Sequence, residues 1–303
     1  MKTQEAYLQK HYSPETAKAY CREIMIYLDN YKGAPTANYK ELTDYIGLLR
    51  TRYNKPATIS RIVSSIKVYY DWLCSEGIRN DNPTKAIKLR DQRPRDIQLQ
   101  DLFTAEELEQ LLNRKERYLN LATRNKVLIS LLIYQALHPQ EIEAIAVTDI
   151  NLQEGNMYIR STPKTNSRTL QLKPNQILLF HQYITEIRPK LMSLKAKKSR
   201  PPASGLLQDN QSNALLVGIR SEPMTGEDIT KHVKRSFKNV YPGRKVNAQT
   251  IRQSVIANLL KQGNDISVVQ AFAGHKYPSS TERYKQTEVE TLKAAVNKYH
   301  PLK

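Results

Sequence analysis

The sequence is poor in cysteine, with two in 303 residues, and neither lies in a CxxC or Cys/His spacing typical of a metal site. We therefore expect Cys21 and Cys74 to be ordinary thiols. A run of about 20 uncharged apolar residues is also missing, so no membrane span is predicted. The first 20 residues are polar and lack the apolar core of a secretory signal, which favours a cytoplasmic location.

Acidic side chains are scarce relative to basic ones. The chain has 29 Asp and Glu against 47 Lys and Arg, for a formal charge of +18 and a pI near 9.7. Residues 1–90 hold 15 basic and 9 acidic side chains, a net +6, which leaves +12 for the rest. A polyanion is the expected partner, and both halves are predicted to meet phosphate, as a clamp around duplex DNA does. A bias of the host proteome or an acidic protein partner remains open on composition alone.

The first 90 residues predict helices separated by turn signals. Ser13 and Pro14 form an N-cap with a proline at the first helical position, and the helix that they open ends near Gly33. Further helices are predicted at residues 36–49, 56–73 and 83–89. Their aromatic-bearing stripes indicate core packing, and the interleaved basic side chains are predicted to face DNA. These are Arg50, Arg52, Lys55, Arg61 and Lys67.

The rest of the chain predicts a second domain with a sheet. Residues 91–103 are charged and aperiodic, which indicates a linker, and Thr104 then opens a helix with capping-box spacing. Alternating residues between 150 and 172, broken by turn formers, predict a small antiparallel sheet. The predicted fold class is therefore mainly α with a small antiparallel β-sheet in the second domain. Its helices are predicted at residues 126–136, from about 140, and at 226–240, 248–262, 265–273 and 279–298.

The C-terminal part carries the most specific pattern. Arg252 in NAQTIRQSVIANLLKQG lies 23 residues before His275 in AFAGHKYPSSTERYKQ, and His275 lies nine residues before Tyr284. These residues resemble the tyrosine recombinase, or phage integrase, family, whose pattern is a helix bearing HxLR, a leucine-glycine-histidine helix start and a nucleophilic tyrosine. The resemblance extends over nearly the whole chain, because three earlier segments resemble the family's helical DNA-binding domain. They are SPETAKAYCREIMIYLDNY, ATISRIVSSIKVYYDWLCSEGI and NPTKAIKL.

The resemblance implies a two-domain DNA clamp. Residues 1–90 would form a helical core-binding, SAM-like domain, residues 91–103 the linker, and residues 104–303 the tyrosine recombinase catalytic domain with a C-terminal helix. The implied partner is double-stranded DNA, bound by a homotetramer on two DNA sites with exchange of the C-terminal helix, with accessory DNA-bending proteins and no membrane. Packing of that helix on its own domain is the alternative. The implied location is the cytoplasm, at the nucleoid. The implied genetic context is a mobile element.

The resemblance also implies a chemistry without metal or cofactor, in which Tyr284 attacks a DNA phosphate and forms a 3′-phosphotyrosyl intermediate. A phenol is a poor nucleophile at neutral pH and a phosphodiester repels attack, so cationic donors are required. Arg252 would hold the nonbridging oxygens, and His275 would add a hydrogen bond. Lys164 matches the family's hairpin lysine, which is thought to protonate the leaving 5′ oxygen. Arg168 is a further candidate phosphate contact.

Two positions depart from the family pattern. The TGLRxxE segment of the family reads QALHPQE here, which places His138 where arginine is expected and weakens one phosphate clamp. Gln249 replaces the HxLR histidine; it can donate a hydrogen bond but cannot shuttle a proton at neutral pH. Each change is expected to cost on the order of 10²-fold in rate.

Two functions stay open on the sequence. The first is an active site-specific recombinase or integrase, and the second is a catalytically impaired recombinase-fold protein that acts as a DNA-binding architectural or regulatory factor. The intact Tyr284 favours the first, whereas His138 and Gln249 favour the second. A helical RNA-binding or processing protein would need an aromatic stacking sheet or metal-binding carboxylates, and the sequence predicts neither.

Overall fold

The computed structural model describes residues 2–89, 97, 101–116, 118–196, 213–238, 240–284 and 296. The chain divides into two compact units, Met1–Asp96 and Ile97–Lys303. The described residues are mainly helical with one small antiparallel sheet, which confirms the predicted fold class. No described helix combines the length and the apolar character that crossing a lipid bilayer requires. The predicted linker, residues 91–103, lies largely outside the described residues, so its boundaries stay a prediction.

Helices make up the first unit, and their caps follow the sequence signals. The side chain of Ser13 accepts the Thr16 N–H, and Asn38 and Glu41 form a capping box, with each side chain accepting the backbone N–H of the other. Three of the four described helices were predicted, whereas the first is polar and gives only weak periodicity. The helices are α1 (Lys2–His11), α2 (Pro14–Asn30), α3 (Tyr39–Arg52) and α4 (Pro56–Ser75).

The predicted helix at residues 83–89 is wrong, because this segment forms a turn over residues 83–86. The side-chain oxygen of Asn82 accepts both the backbone N–H and the hydroxyl of Thr84, which closes the chain locally. The Lys67 ammonium donates to the Ile87 carbonyl at 2.7 Å and fixes the end of the segment. Lys67 therefore joins α4 to this segment, and its predicted contact with DNA stays a prediction.

Tyrosines form the centre of the first core. Tyr27 and Tyr70 are both fully buried, and their hydroxyls lie 2.8 Å apart. The Tyr70 hydroxyl also donates to the Ala34 carbonyl at 2.6 Å, so these polar groups are satisfied inside an apolar core. Burial raises the pKa of Tyr70 to about 12, with the hydrogen bond from Tyr27 acting against the rise. Both phenols are therefore neutral packing groups.

The second unit confirms most of its predicted helices. Thr104 and Glu107 form the expected capping box, while the helix predicted at 126–136 begins earlier, at Leu119. The two helices between residues 174 and 196 were not predicted. The helix predicted at 279–298 ends at Glu282, where residues 283 and 284 form a turn, and the residues beyond 284, except 296, lie outside the described part. The helices are α5 (Ala105–Gln110), α6 (Leu119–Gln135), α7 (Pro139–Glu143), α8 (Pro174–Gln182), α9 (Arg188–Ala196), α10 (Gly226–Ser236), α11 (Ala248–Lys261), α12 (Ile266–Ala273) and α13 (Ser279–Glu282).

The predicted sheet is present and has three antiparallel strands in the order β1 (Ile150–Asn151), β2 (Asn156–Ile159) and β3 (Arg168–Gln171). Met157 pairs with Leu170, and both side chains point into the core, whereas their strand neighbours are exposed or partly exposed. The pairing places residues 160–167 in a hairpin loop between β2 and β3. This loop carries Lys164.

Helix α6 runs through the core of the second unit and ends next to the candidate site. Leu128, Leu131 and Leu132 are each fully buried. The helix is followed by Ala136, which is also buried and has a left-handed backbone with φ 50°. An L-residue other than glycine pays roughly 1–2 kcal/mol for this conformation. The turn leads directly into His138 and α7.

Candidate active site

Arg252 on α11 joins two turns of the second unit. One of its terminal nitrogens donates to the Ala136 carbonyl after α6, and the other donates to the Ala273 carbonyl at the end of α12 at 2.6 Å. The side chain is 7% exposed. Burial lowers the pKa of this guanidinium from its ordinary value, and the negative charge of Glu141 opposes that change. Arg252 thus fixes a positive charge where the two turns meet.

Glu141 on α7 is the buried anion of the site. Its carboxylate accepts from Arg168 at 2.7 Å and from the His138 backbone N–H at 2.8 Å, and it lies 3.6 Å from Arg252. Burial alone would raise the pKa of Glu141, but the hydrogen bond and charge of Arg168, with the charge of Arg252, hold it below its ordinary value. Arg168 also donates to the Phe272 carbonyl and is 7% exposed. In the free protein Arg168 therefore pairs with Glu141, and its contact with phosphate stays a prediction.

The β2–β3 hairpin is joined to the loop after α12. The Asn166 N–H donates to the Gly274 carbonyl at 2.8 Å, and Thr165 forms an isolated antiparallel bridge with His275. These contacts hold the loop that carries Lys164 against the loop that carries His275. Two candidate residues that are more than 100 positions apart in the sequence are therefore positioned by backbone contacts between their loops.

His275 is a neutral, half-buried imidazole. Its Nδ1 lies 2.8 Å from the hydroxyl oxygen of Thr281, which is fully buried. Burial lowers the pKa of His275 to about 4, the positive charges of Arg252 and Arg168 add to this, and Glu141 acts against it. The ring is therefore uncharged at neutral pH and interacts with a phosphate through hydrogen bonds.

Tyr284 is buried beside Arg252, with 7% of its surface exposed. Its backbone N–H donates to the Thr281 carbonyl at 3.0 Å, which sets its place one turn after that residue. Burial raises the pKa of the Tyr284 phenol, and the positive charges of Arg252 and Arg283 oppose the rise without cancelling it. The phenol is therefore protonated at neutral pH and needs help to become a nucleophile.

His138 caps α7 and lies within electrostatic reach of two cations. Its Nδ1 accepts the Gln140 N–H at 3.3 Å, so a neutral ring carries its hydrogen on Nε2. Burial lowers the pKa of His138, as do the charges of Arg252 and Lys164, while Glu141 opposes them. Lys164 itself is exposed in the hairpin loop. His138 thus joins the site as a neutral hydrogen-bonding group where the family pattern has a permanent cation.

Gln249 is the candidate that the structure connects least to the others. It lies in the first turn of α11, one turn before Arg252, and is exposed. Its backbone N–H donates to the Asn247 side chain at 2.9 Å. Within the described part of the chain, no hydrogen bond or ion pair joins the Gln249 side chain to Tyr284 or His275.

Sequence reasoning missed two residues that organise the site. Glu141 belongs to the quoted QALHPQE segment but received no role, although it matches the glutamate of the TGLRxxE pattern. Thr281, between His275 and Tyr284, also received none. A hydroxyl in a short helix has no distinctive pattern, so only its contact with His275 reveals it.

Gly274 has no room for a side chain, which yields a testable stability difference. Its φ is +70°, and an added Cβ would collide with Nη1 of Arg168 and lie 3.1 Å from the Asn166 carbonyl oxygen. We expect Gly274→Ala to lower the free energy of unfolding by about 2 kcal/mol, because backbone strain adds to displacement of Arg168.

Gly263→Ala is the matched control, since Gly263 has φ +83° and nothing within 4 Å of an added Cβ. It should cost only the strain, about 1 kcal/mol. Urea denaturation of both variants followed by far-UV circular dichroism measures the difference. Equal losses of unfolding free energy in the two variants would show that Arg168 moves aside without a cost in stability.

Comparison with known proteins identifies the family to which the chain belongs. The family model described as "Phage integrase family" matches residues 101–291, and that of the "Phage integrase, N-terminal SAM-like domain" matches residues 1–79. The chain is 26% identical to tyrosine recombinase XerD of Oceanobacillus iheyensis over 301 residues, which cover 97% of this chain and 95% of that protein. It is 25% identical to tyrosine recombinase XerC of Pelotomaculum thermopropionicum over 308 residues, covering 97% and 94%.

Solved structures share the fold. The Tn1549 transposon integrase in complex with transposon right end DNA superposes with a TM-score of 0.66 at 15% identity, covering 96% of this chain and 98% of that one. XerH site-specific recombinase in a post-cleavage complex gives 0.68 at 17% identity, covering 92% and 78%. The family resemblance of the sequence is thereby confirmed. From its SAM-like N-terminal segment to the segment that carries Arg252, His275 and Tyr284, this chain belongs to the phage integrase family of tyrosine recombinases.

Proposed function

We propose that this chain is a tyrosine-type site-specific DNA recombinase that cleaves and rejoins DNA strands through a 3′-phosphotyrosyl intermediate. The observation that carries the proposal is the position of Arg252, whose charge acts on Tyr284, His275 and His138. A guanidinium beside a buried phenol and neutral imidazoles suits a single backbone phosphate. Solved relatives include a lambda integrase dimer bound to a core site and an integrase on transposon end DNA, which supports duplex DNA as the substrate.

The proposed step is a transfer of the phosphoryl group from DNA to protein. Arg252 and His275 bind the nonbridging oxygens and stabilise the charge that builds up in the transition state. The bond between phosphorus and the Tyr284 oxygen forms as the bond to the 5′ oxygen breaks. Lys164, exposed in its hairpin, gives a proton to the leaving 5′ oxygen, the phenol proton passes to solvent water, and Lys164 regains its proton from solvent afterwards.

The two residues that depart from the family pattern, His138 and Gln249, would bind the phosphate through neutral hydrogen bonds. His138 would offer Nε2–H as a neutral donor to the phosphate in place of a charged guanidinium. Gln249 would contribute at most a neutral hydrogen bond from the exposed face of α11. We therefore propose a slower cleavage step than an arginine at position 138 would give.

We also propose the assembly in which the reaction takes place. Four copies would act on two DNA sites in the cytoplasm, at the nucleoid, assisted by accessory DNA-bending proteins. The segment after Tyr284 would dock on a neighbouring copy through apolar residues at helical spacing. They are Val289, Leu292, Ala295 and Val296.

Trapping the intermediate tests the proposed function. A duplex selected by the protein from a randomised library is nicked a few nucleotides from each candidate cleavage point, so that the released fragment diffuses away and religation fails. The expected result is a covalent protein–DNA adduct whose nucleotide is attached to the peptide containing Tyr284. Tight, sequence-specific binding without an adduct would overturn the proposal and identify a DNA-binding architectural or regulatory factor.

Replacing His138 with arginine should accelerate adduct formation by roughly tenfold to a hundredfold, because a permanent cation would face the phosphate. The loss of the helix cap should cost about 1 kcal/mol of stability, so the assay is run well below the unfolding temperature. The rate is measured in single-turnover experiments on the nicked duplex. His181→Arg adds the same charge at an exposed position of α8 and controls for general attraction to DNA. Equal rates in the two variants would remove position 138 from the site.

A further inference from the structure

Thr281 connects two reactive residues of the site, His275 and Tyr284. It lies on α13, three residues before Tyr284, and is fully buried. Its hydroxyl oxygen lies 2.8 Å from Nδ1 of His275, and its carbonyl accepts the Tyr284 N–H at 3.0 Å. One residue therefore touches the imidazole through its side chain and the nucleophile through its backbone.

The direction of the Thr281–His275 hydrogen bond follows from burial. A buried hydroxyl needs an acceptor for its hydrogen, because leaving it unpaired costs about 1–3 kcal/mol. Among the described residues, Nδ1 of His275 is the one hydrogen-bond partner of this hydroxyl. The Pro278 carbonyl, one turn before, already accepts the N–H groups of Thr281 and Glu282. The hydroxyl hydrogen therefore goes to Nδ1, which acts as the acceptor.

Because His275 is neutral, this assignment decides which of its ring nitrogens carries the hydrogen. Three charged groups on other elements act on the ring. Burial and the cations Arg252 on α11 and Arg168 on β3 hold the pKa of His275 at about 4, and Glu141 on α7 opposes them. At neutral pH the imidazole therefore carries one hydrogen. If Nδ1 accepts from Thr281, that hydrogen is on Nε2.

We propose that Thr281 is a positioning residue that holds His275 as the Nε2–H tautomer, so that His275 offers a hydrogen-bond donor to the phosphate. The contact with phosphate rests on the proposed function, whereas the tautomer does not. In the opposite tautomer, the Nε2 lone pair would face the phosphate oxygens and repel them. The assignment also makes His275 a donor to the transition state rather than the base that removes the phenol proton.

Nitrogen NMR of the full chain reads the tautomer directly. The six histidines are labelled with ¹⁵N, and the His275 signals are identified by their loss in His275→Gln. In the wild-type protein without DNA at pH 7, we expect Nδ1 to be of the unprotonated type and Nε2 of the protonated type. A protonated Nδ1 in the wild-type spectrum would overturn the proposal without any need for a Thr281 variant.

Two substitutions test whether Thr281 causes the tautomer. Thr281→Val has nearly the same shape and no hydroxyl, whereas Thr281→Ser keeps the hydroxyl. We expect the serine variant to retain the wild-type spectrum and the valine variant to lose the Nε2–H preference. A valine variant that folds and keeps the wild-type spectrum would show that another group sets the tautomer.

The rate of adduct formation supplies the functional measurement. Thr281→Val should slow single-turnover cleavage of the nicked duplex by about tenfold at unchanged DNA affinity, and Thr281→Ser should stay within about threefold of wild type. If wild type forms no adduct, the proposed function fails while the spectra still decide the tautomer. If wild type cleaves and Thr281→Val cleaves equally fast, the positioning role is overturned.

Discussion

Tyr284→Phe should reduce adduct formation on the nicked duplex by at least about a thousandfold, because the substitution removes the oxygen that attacks phosphorus. The ring is buried and its hydroxyl is a single polar group, so the phenylalanine should occupy the same space. DNA affinity should stay within about fivefold of wild type, the equivalent of one neutral hydrogen bond. Gel separation of the adduct and a binding titration measure the two quantities.

Tyr277→Phe is the matched control, since Tyr277 belongs to the same segment and is 70% exposed. It should form the adduct at the wild-type rate. Adduct formation that persists in Tyr284→Phe would assign the attack to another nucleophile and would remove the basis for the proposed chemistry. Loss of the adduct in both variants would indicate that the segment, rather than the phenol, had been disturbed.

The reactive side chains were predictable from sequence because their spacing is local and their chemistry is unusual. Arg252, His275 and Tyr284 lie within 33 consecutive positions, and the elements between them are short. The pairing of Arg168 was not predicted, because it depends on a contact with Glu141, 27 residues away on another element. A basic residue in a strand has the same appearance in sequence whether it faces a phosphate or a buried carboxylate.

The fold was predictable wherever a cap and an apolar stripe coincided, as in α2, α3 and α5. Polar α1 was missed because its helical state depends on packing against α2 and α4 rather than on its own pattern. The segment at 83–89 was misread because an asparagine followed by proline starts a turn as readily as a helix. The Asn82 bonds to Thr84 decide between the two, and sequence does not contain them.

The charges of Arg252 and Lys164 explain why a histidine suits position 138. In the family pattern an arginine at this place would stand beside Arg252, with Lys164 nearby, and each added cation costs electrostatic energy when no phosphate is bound. A neutral histidine removes that repulsion in the free protein and keeps one donor for the bound state. Its effect should therefore be a more stable resting site at the expense of transition-state stabilisation.

Glu141→Gln should lower the stability of the second unit by about 3–5 kcal/mol, because it leaves two buried cations without their counter-ion. The Arg168 and Arg252 side chains are each 7% exposed, and Glu141 is 0% exposed. Glutamine has nearly the same shape but only one acceptor oxygen, so the loss measures the charge together with one hydrogen bond. Cleavage should fall as well, since Arg252 would lose its carboxylate partner and keep only its two backbone carbonyl contacts.

Glu141→Gln should also make the free energy of unfolding less dependent on pH in the acidic range. The pKa of Glu141 is lower in the folded protein than the value near 4.3 of an unfolded glutamate. As the pH falls from the unfolded pKa of Glu141 to its folded pKa, the unfolded chain binds a proton that the folded chain does not, so the wild-type protein loses stability. The contribution is fully present above the unfolded pKa and is lost as the pH drops through the folded pKa. Glutamine does not titrate, and this part of the slope should disappear.

Amide hydrogen exchange of the α6 core peptides measures this loss in the full chain, because it reports on the second unit alone. The single tryptophan, Trp72, lies on α4 and reports separately on the first unit. Glu227→Gln breaks the exposed pair with Lys231, whose side chains are 75% and 52% exposed, and should change stability by less than about 0.5 kcal/mol. If the two variants lost equal amounts, the Arg168–Glu141–Arg252 network would be no more than a surface ion pair, and Arg252 would have to be held in place by its two backbone carbonyl contacts.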